Sequence, residues 1–234
     1  MTLLANAPSM DTSYVEMGEM RTVNQPIYET SWKVPFSVTV PHYGMFRVLL
    51  GRSSIARDPD SAWRLDDAVL TVRHSTMTIN PKDAVVFANI GGVPLPATRL
   101  SDCSINTPSL GETVDLTVLV NAMTSSADRT STNHRRRAVP TELLSEWGSA
   151  LLATAGLHAN KCSVVSDDPV FIEYGDGASH GRRAIRVAPA HLEATCSVVD
   201  QPLLARAFLL GIGSRRSYGF GQLVITQSTK GAQA

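Results

Sequence analysis

Apolar and polar residues alternate most cleanly over Val114-Asp115-Leu116-Thr117-Val118-Leu119-Val120. A period of two predicts a strand with one buried face. Runs rich in β-branched and aromatic residues predict further strands over Ser31–Val40, Asp67–Arg73 and Ala84–Phe87. In the second half the same signal marks Ser163–Tyr174, Arg182–Val187 with extension toward Val199, and Gly221–Thr226. Helical spacing appears at three places. His42–Leu50 carries Met45, Phe46, Leu49 and Leu50 and stops at Gly51. Pro140-Thr141-Glu142 opens a second helix with Leu144, Trp147 and Leu151 on one face, Leu143 and Leu152 beside it, and Gly156 as the stop. Asp200-Gln201-Pro202 supplies the third with an N-cap and a first-turn proline, ahead of Leu203, Leu204, Phe208 and Leu210 as its buried residues. Residues Ile90–Ser109, rich in Gly, Pro and Ser, read as mostly loop, Thr124–Asn133 as a polar loop, and Tyr174–Gly181 as a turn.

The second half thus reads βαββαβ, the ferredoxin-like order. One such unit takes about 80–100 residues, so 234 residues leave room for two. The expected architecture is α+β, with two tandem ferredoxin-like (RRM-like) domains, the C-terminal one clearer. A polar arm would occupy 1–20, one domain 21–112 and the other 113–234. The halves share no visible sequence repeat.

Composition narrows the class. An apolar fraction of 43% supplies a core and excludes a disordered chain. No apolar run reaches the ~18 residues a membrane helix needs. Met1–Met20 carries Asp11, Glu16 and Glu19 and no basic residue, unlike a signal peptide. Cys103, Cys162 and Cys196 form no Cys-x-x-Cys pair, which argues against a disulfide framework or a zinc site. The expectation is a reduced, cytoplasmic protein with no membrane partner and no metal or other cofactor.

Charge matters through its distribution. Lys plus Arg and Asp plus Glu are both 21, so the net charge is zero. Residues 1–117 hold 9 basic and 12 acidic side chains, and residues 118–234 hold 12 and 9, a shift from −3 to +3. Only four of the basic residues are lysines. Arginine presents a planar fork of donors that grips phosphate at two points. The arginines cluster as Arg135-Arg136-Arg137, as Arg182-Arg183 with Arg186, and as Arg215-Arg216.

The strongest motif is Gly211-Ile212-Gly213-Ser214-Arg215-Arg216-Ser217-Tyr218-Gly219-Phe220-Gly221. Glycine permits positive φ and close approach of a ligand to the main chain, and backbone N–H groups in such a loop can form an anion-binding nest. Its four glycines are candidate contacts, with Ser214, Arg215 and Arg216. A dinucleotide-binding Gly-x-Gly-x-x-Gly must follow a strand and open a helix. Here the loop follows a helix and leads into a strand, so that reading fails on context.

This loop resembles the glycine-rich loop of the repeat-associated CRISPR RNA-binding superfamily. The wider C-terminal half is similar to the precursor-CRISPR-RNA endoribonucleases, the CRISPR-associated protein six family, of type I-E; type IV relatives share the plan. The resemblance rests on Arg135-Arg136-Arg137-Ala138-Val139-Pro140 before a helix with a central Trp, on Tyr174-Gly175-Asp176-Gly177 with Gly181, and on the loop, covering about residues 112–226. It implies a CRISPR repeat hairpin as substrate, cut at the 3′ base of its stem without metal by attack of the upstream 2′-OH. The products would carry a 2′,3′-cyclic phosphate and a 5′-OH. It also implies retention of the product and entry into an effector complex with other subunits. The alternative is a non-catalytic scaffold subunit that only holds CRISPR RNA. A plain RNA-recognition module would want stacking aromatics on central strands, and none are patterned here.

Attack by a 2′-OH needs a base, an acid for the leaving 5′-oxygen, and positive charge near the phosphorane. Histidine suits proton transfer near neutrality. Family enzymes carry theirs at the start of the first helix, and His42-Tyr43-Gly44-Met45 resembles that segment. The helix dipole would hold His42 neutral, as a base requires, with Tyr28 or Tyr43 as partner. His134 extends the arginine run, His158 is expected to cap a helix end, and His74, His180 and His191 read as structural. Asp66-Asp67 and Asp167-Asp168 read as turn and edge residues. Arg135, Arg136 and Arg137 would meet the phosphates of the RNA stem.

Overall fold

The computed structural model describes residues 26–33, 62–66, 69–74, 86–88, 94–96, 98–125, 136–174, 183–216 and 219–229. Along the chain these form β1 (Ile27–Lys33), β2 (Trp63–Asp66), β3 (Val69–His74), β4 (Val86–Ala88), β5 (Pro94–Pro96), β6 (Thr98–Ile105), β7 (Thr113–Asn121), β8 (Met123–Ser125) and β9 (Arg136–Ala138). A 3-10 turn (Thr141–Leu143) leads into α1 (Leu144–Ala153). Then come β10 (Leu157–Ser166), β11 (Val170–Tyr174), β12 (Arg183–Val187), β13 (Pro189–Val198), α2 (Gln201–Leu210) and β14 (Val224–Thr229).

Strands β10, β13, β7 and β14 pair in that spatial order, every neighbour antiparallel. With α1 after β7 and α2 after β13, this is the ferredoxin-like unit that the element order predicts. The first sheet, β2-β3-β1-β6, is also antiparallel. Numbered within their own sheets, both follow the order 2-3-1-4. The repeat that is invisible in sequence is therefore present in topology. The helix expected over His42–Leu50 lies outside the described residues.

The C-terminal core follows from the alternation in β7. Val114, Leu116, Val118 and Val120 turn inward. They meet Leu192, Cys196 and Val198 of β13, Leu144, Leu151 and Leu152 of α1, and Leu204 and Phe208 of α2. Burying each such aliphatic side chain stabilises the fold by about 2 kcal/mol relative to exposure. Helix α2 starts as predicted: the Asp200 side chain accepts from the Leu203 N–H at 2.9 Å, with proline in the first turn. Ile27 of β1 enters this same core, which joins the two sheets through apolar contact.

Several expectations need correction. The stretch read as loop before Ser109 contains β5 and the eight-residue β6. Among the described residues strand β6 lies at the edge of its sheet and pairs only with β1; it is rich in polar residues and its Leu100 is exposed, so no apolar alternation marks it. The predicted strand Ser163–Tyr174 is two strands, β10 and β11, broken at Asp167-Asp168-Pro169. Leu203 is exposed and Leu210 half-buried, because the inward face of α2 runs through Leu204, Ala207 and Phe208. His158 does not cap α1. It lies in β10, exposed, while the carbonyls of Leu151, Leu152 and Ala153 accept backbone N–H groups from Thr154, Ala155 and Gly156. The last strand begins at Val224 rather than Gly221. The polar loop read over Thr124–Asn133 begins inside β8, which pairs with β9 and so places Arg136 and Arg137 in a strand. No helix among the described residues is long and apolar enough to cross a membrane.

Candidate functional site

The glycine-rich segment leaves α2 at a helix end whose carbonyls would otherwise be orphaned. The Leu209 carbonyl accepts the Ala62 N–H at 2.8 Å, from the chain entering β2. The Leu210 carbonyl accepts from Arg216 Nη1 at 3.2 Å. Arg216 is thus partly turned onto the protein, and burial, reinforced by nearby Arg206, lowers its pKa. A guanidinium carries five N–H donors in all, so this one bond leaves Arg216 with capacity for phosphate.

All four glycines adopt positive φ, between 72° and 87°. Arg215 does too, at 64°, which is rare for a residue with a Cβ. Packing, rather than space for a ligand, is what requires glycine at most of these positions. The Ile212 N–H donates to the Gly221 carbonyl at 2.8 Å, closing the two legs of the loop. A Cβ on Gly221 would fall on the Ile212 carbonyl. A Cβ on Gly219 would lie 2.8 Å from Cζ3 of the Trp63 ring. Gly211, Gly219 and Gly221 are buried, and Gly213 is exposed. The stem of the loop is therefore packed against the molecule, while Gly213–Arg216 lies at the surface or half-buried. Ser217 and Tyr218 lie outside the described residues.

Around this tip the structure gathers segments that are far apart in sequence. Asn121, the last residue of β7, is 3% exposed. Its Nδ2 donates to Ser214 Oγ at 3.0 Å, and its Oδ1 accepts the Ala188 N–H at 2.8 Å. The next residue, Ala122, donates to the Ala188 carbonyl and accepts the Val139 N–H. The roots of the loop, of the β11–β12 hairpin and of the β8–β9 ribbon thus meet at one end of β7. Phe220 of the loop and Val187 of β12 share a small core with Leu119, Val170 and Ile185. Each of the three arginine clusters belongs to one of these segments: Arg136 and Arg137 to β9, Arg183 and Arg186 to β12, and Arg215 and Arg216 to the loop. Arg137 and Arg186 are exposed. Arg135, Arg182 and His134 lie outside the described residues.

Of the predicted proton-transfer residues, only Tyr28 is described. It sits half-buried in β1, in register with His74 of β3. Strand alternation puts it on the sheet face that carries Thr30, Val72 and Trp63. His42 and Tyr43 lie outside the described residues. Sequence reasoning missed Asn121, Trp63 and Arg73. Only Asn121 left a signal, as the polar residue that ends the cleanest strand. Arg73 has a side chain 5% exposed, and its Nε lies 2.9 Å from Glu29 Oε2. Its Nη1 donates to the Leu223 carbonyl at 2.6 Å, and its guanidinium stacks 4.8 Å from the Phe208 ring centroid. Burial lowers the Arg73 pKa, and Glu29 opposes that shift. An open cleft of about 550 Å³ beside this pair is lined by Glu29, Arg64, Glu112 and Ile225 among others. Its carboxylates offset its guanidinium groups, so it is a poor receptor for an anion. Among the described residues, no group of three or more His, Cys, Asp or Glu could hold a metal ion.

A family model described as CRISPR associated protein matches residues 56–227, well over half of the chain. The chain belongs to that CRISPR-associated family. No curated protein matches the sequence significantly. Among solved structures, CRISPR endoribonuclease Cse3 bound to a 19-nucleotide RNA shares the fold with a TM-score of 0.60 at 17% identity, covering 86% of this chain and 100% of that one. The CRISPR-associated protein Cas6e from Escherichia coli K-12 gives a TM-score of 0.54 at 15% identity, covering 85% and 98%. A chain of a CRISPR RNA-guided surveillance complex gives 0.53 at 17% identity, also covering 85% and 98%. The ferredoxin-like plan of this CRISPR-associated chain is therefore shared along nearly the whole length of these relatives.

Proposed function

We propose that this chain is a metal-independent endoribonuclease that binds the repeat hairpin of precursor CRISPR RNA, cuts at the 3′ base of its stem and retains the product. The observation that carries this reading is the meeting of the glycine-rich loop, the β8–β9 ribbon and the β11–β12 hairpin at one end of β7, each bearing arginines. A folded RNA is held through many phosphate contacts of about 1 kcal/mol each, so affinity requires such gathering rather than one strong contact. Family membership and the fold shared with RNA-bound Cse3 support it.

In this mechanism His42 takes the proton from the ribose 2′-OH, with Tyr28 or Tyr43 beside it. The 2′-oxygen bonds to the adjacent phosphorus, and the P–O5′ bond breaks. An acid returns a proton to the leaving 5′-oxygen. The nucleophile belongs to the substrate, so no metal is called on to activate water. Arg215 and Arg216, with Ser214 and the exposed backbone of Gly213, form the cradle for phosphates, while buried Gly211, Gly219 and Gly221 pack it from behind. Arg135, Arg136 and Arg137 lie along the stem, where a deep A-form groove is read by shape and charge.

The test is incubation with the cognate repeat RNA in EDTA. One cut at the foot of the stem is expected, abolished when the scissile ribose is 2′-deoxy. His42→Ala should lower the cleavage rate and leave hairpin affinity nearly unchanged. Tight binding with no cut would instead make the chain a CRISPR RNA-holding subunit. That second reading is favoured by the shared fold with a chain of a surveillance complex.

A further inference from the structure

The N-terminal sheet grips the stem of the glycine-rich loop. Trp63, the first residue of β2, is 6% exposed and packs directly on Gly219. Beside it the chain is tied across the same join. The Ala62 N–H donates to the Leu209 carbonyl, and the Ala62 carbonyl accepts from Gln222 Nε2 at 3.2 Å. The loop is thus held between the end of α2, the end of β7 and the ring of Trp63. Polar ties fix it along the chain direction, and the indole blocks movement of its returning leg toward the first sheet.

We propose that Trp63 is a positioning residue for the RNA cut. It holds the tip Gly213–Arg216 at a set distance from the first sheet, which carries Tyr28. Phosphates seated on the loop and the ribose presented for attack are then fixed relative to one another. The catalytic consequence rests on the endoribonuclease reading; the clamp itself does not. A reacting phosphate displaced by about 1 Å loses up to ~100-fold in rate, whereas binding spread over many phosphates changes little. Trp63 therefore acts on the rate at saturation more than on affinity.

The experiment uses the full chain with Trp63→Leu and Trp63→Phe. Hydrogen exchange is read over residues 211–223, where Ile212, Gly219 and Gly221 donate the closing hydrogen bonds. Single-turnover cleavage of the repeat hairpin at saturating protein is read beside it. Trp63→Leu should speed exchange in that segment about tenfold, leave exchange over α1 unchanged, lower the saturating cleavage rate about 10- to 100-fold and move Kd less than about threefold. Trp63→Phe should restore most of both. Unchanged loop exchange in Trp63→Leu overturns the clamp. Faster exchange with an unchanged cleavage rate overturns its role in positioning. Faster exchange in a protein whose unmodified form never cuts the hairpin upholds the clamp and overturns the endoribonuclease reading instead.

Discussion

Replacing Arg73 by methionine tests the polar half of the join between the two sheets. The side chain is 5% exposed and reaches Glu29 at 2.9 Å, the Leu223 carbonyl at 2.6 Å, and the Phe208 ring at 4.8 Å. Methionine keeps much of the length over Phe208 and has no donor. Stranding the Leu223 carbonyl costs about 1–2 kcal/mol. Breaking a fully buried ion pair costs about 3–5 kcal/mol, but Glu29 is 21% exposed and water recovers most of its hydration. We assign that part about 1 kcal/mol. Removal of the cation–π interaction adds about 0.5–1 kcal/mol. Relief of the arginine's own desolvation, which lowers its pKa, works in the other direction. The net expectation is a destabilisation of about 2–3 kcal/mol, or roughly 4–12 °C in Tm for a chain of this length. Urea unfolding of Arg73→Met, Glu29→Gln and the double variant measures it. The double variant should cost about 1 kcal/mol less than the two single changes combined. A destabilisation below about 0.5 kcal/mol for Arg73→Met, or strict additivity, would refute the bridge.

Other outcomes follow from the same geometry. Gly221→Ala drives a Cβ into the Ile212 carbonyl and should cost more than about 3 kcal/mol. Gly213→Ala meets only Leu151 methyls at 3.6 Å, bears the strain of positive φ alone, and should cost about 1 kcal/mol; equal destabilisation in thermal unfolding would contradict this division. Arg215→Ala should lower the slope of log Kd against log salt for hairpin binding by about 0.7–0.9 for each phosphate it no longer neutralises, and an unchanged slope would remove it from the interface. Burial, with Cys162 and Asp115 adding, pushes the Cys196 pKa up to about 12, so its thiol stays protonated far above neutral pH. Exposed Cys103 should therefore react first with iodoacetamide at pH about 8.5, and early modification of Cys196 in mass spectra would count against the packing of β13.

The C-terminal unit is legible in the sequence because its elements carry their own burial signals. Strand β7 alternates along its whole length, and α2 states its start with Asp200 and Pro202. The first sheet is less legible for a physical reason. Among the described residues its strands β2 and β6 are edges, each paired on one side only, so polar residues such as Ser101 and Asp102 sit within β6 without an apolar rhythm. The join is illegible altogether. Nothing local marks Arg73 as buried, since its burial depends on Glu29, 44 residues earlier, and on Leu223, 150 residues later. The arginine clusters are visible as composition, but their common placement arises from Asn121, which bonds to residues 93 and 67 positions away.

The glycine-rich loop joins structure and chemistry more closely than its sequence suggests. In sequence its glycines read as space for a ligand, yet at three of the four the protein itself takes up that space. These two roles support one another. A loose glycine loop would lose about 1–2 kcal/mol of backbone entropy per residue on ordering around a phosphate. Here the legs are already closed at Ile212 and Gly221, the entry is held at Leu209 and Leu210, and the tip is tied through Ser214 to Asn121. Most of that ordering has been met in folding, so a surface contact of modest strength can bind with little further entropic cost. Absence of a Cβ thus serves recognition indirectly, by letting the chain pack tightly enough behind the tip to hold the tip still.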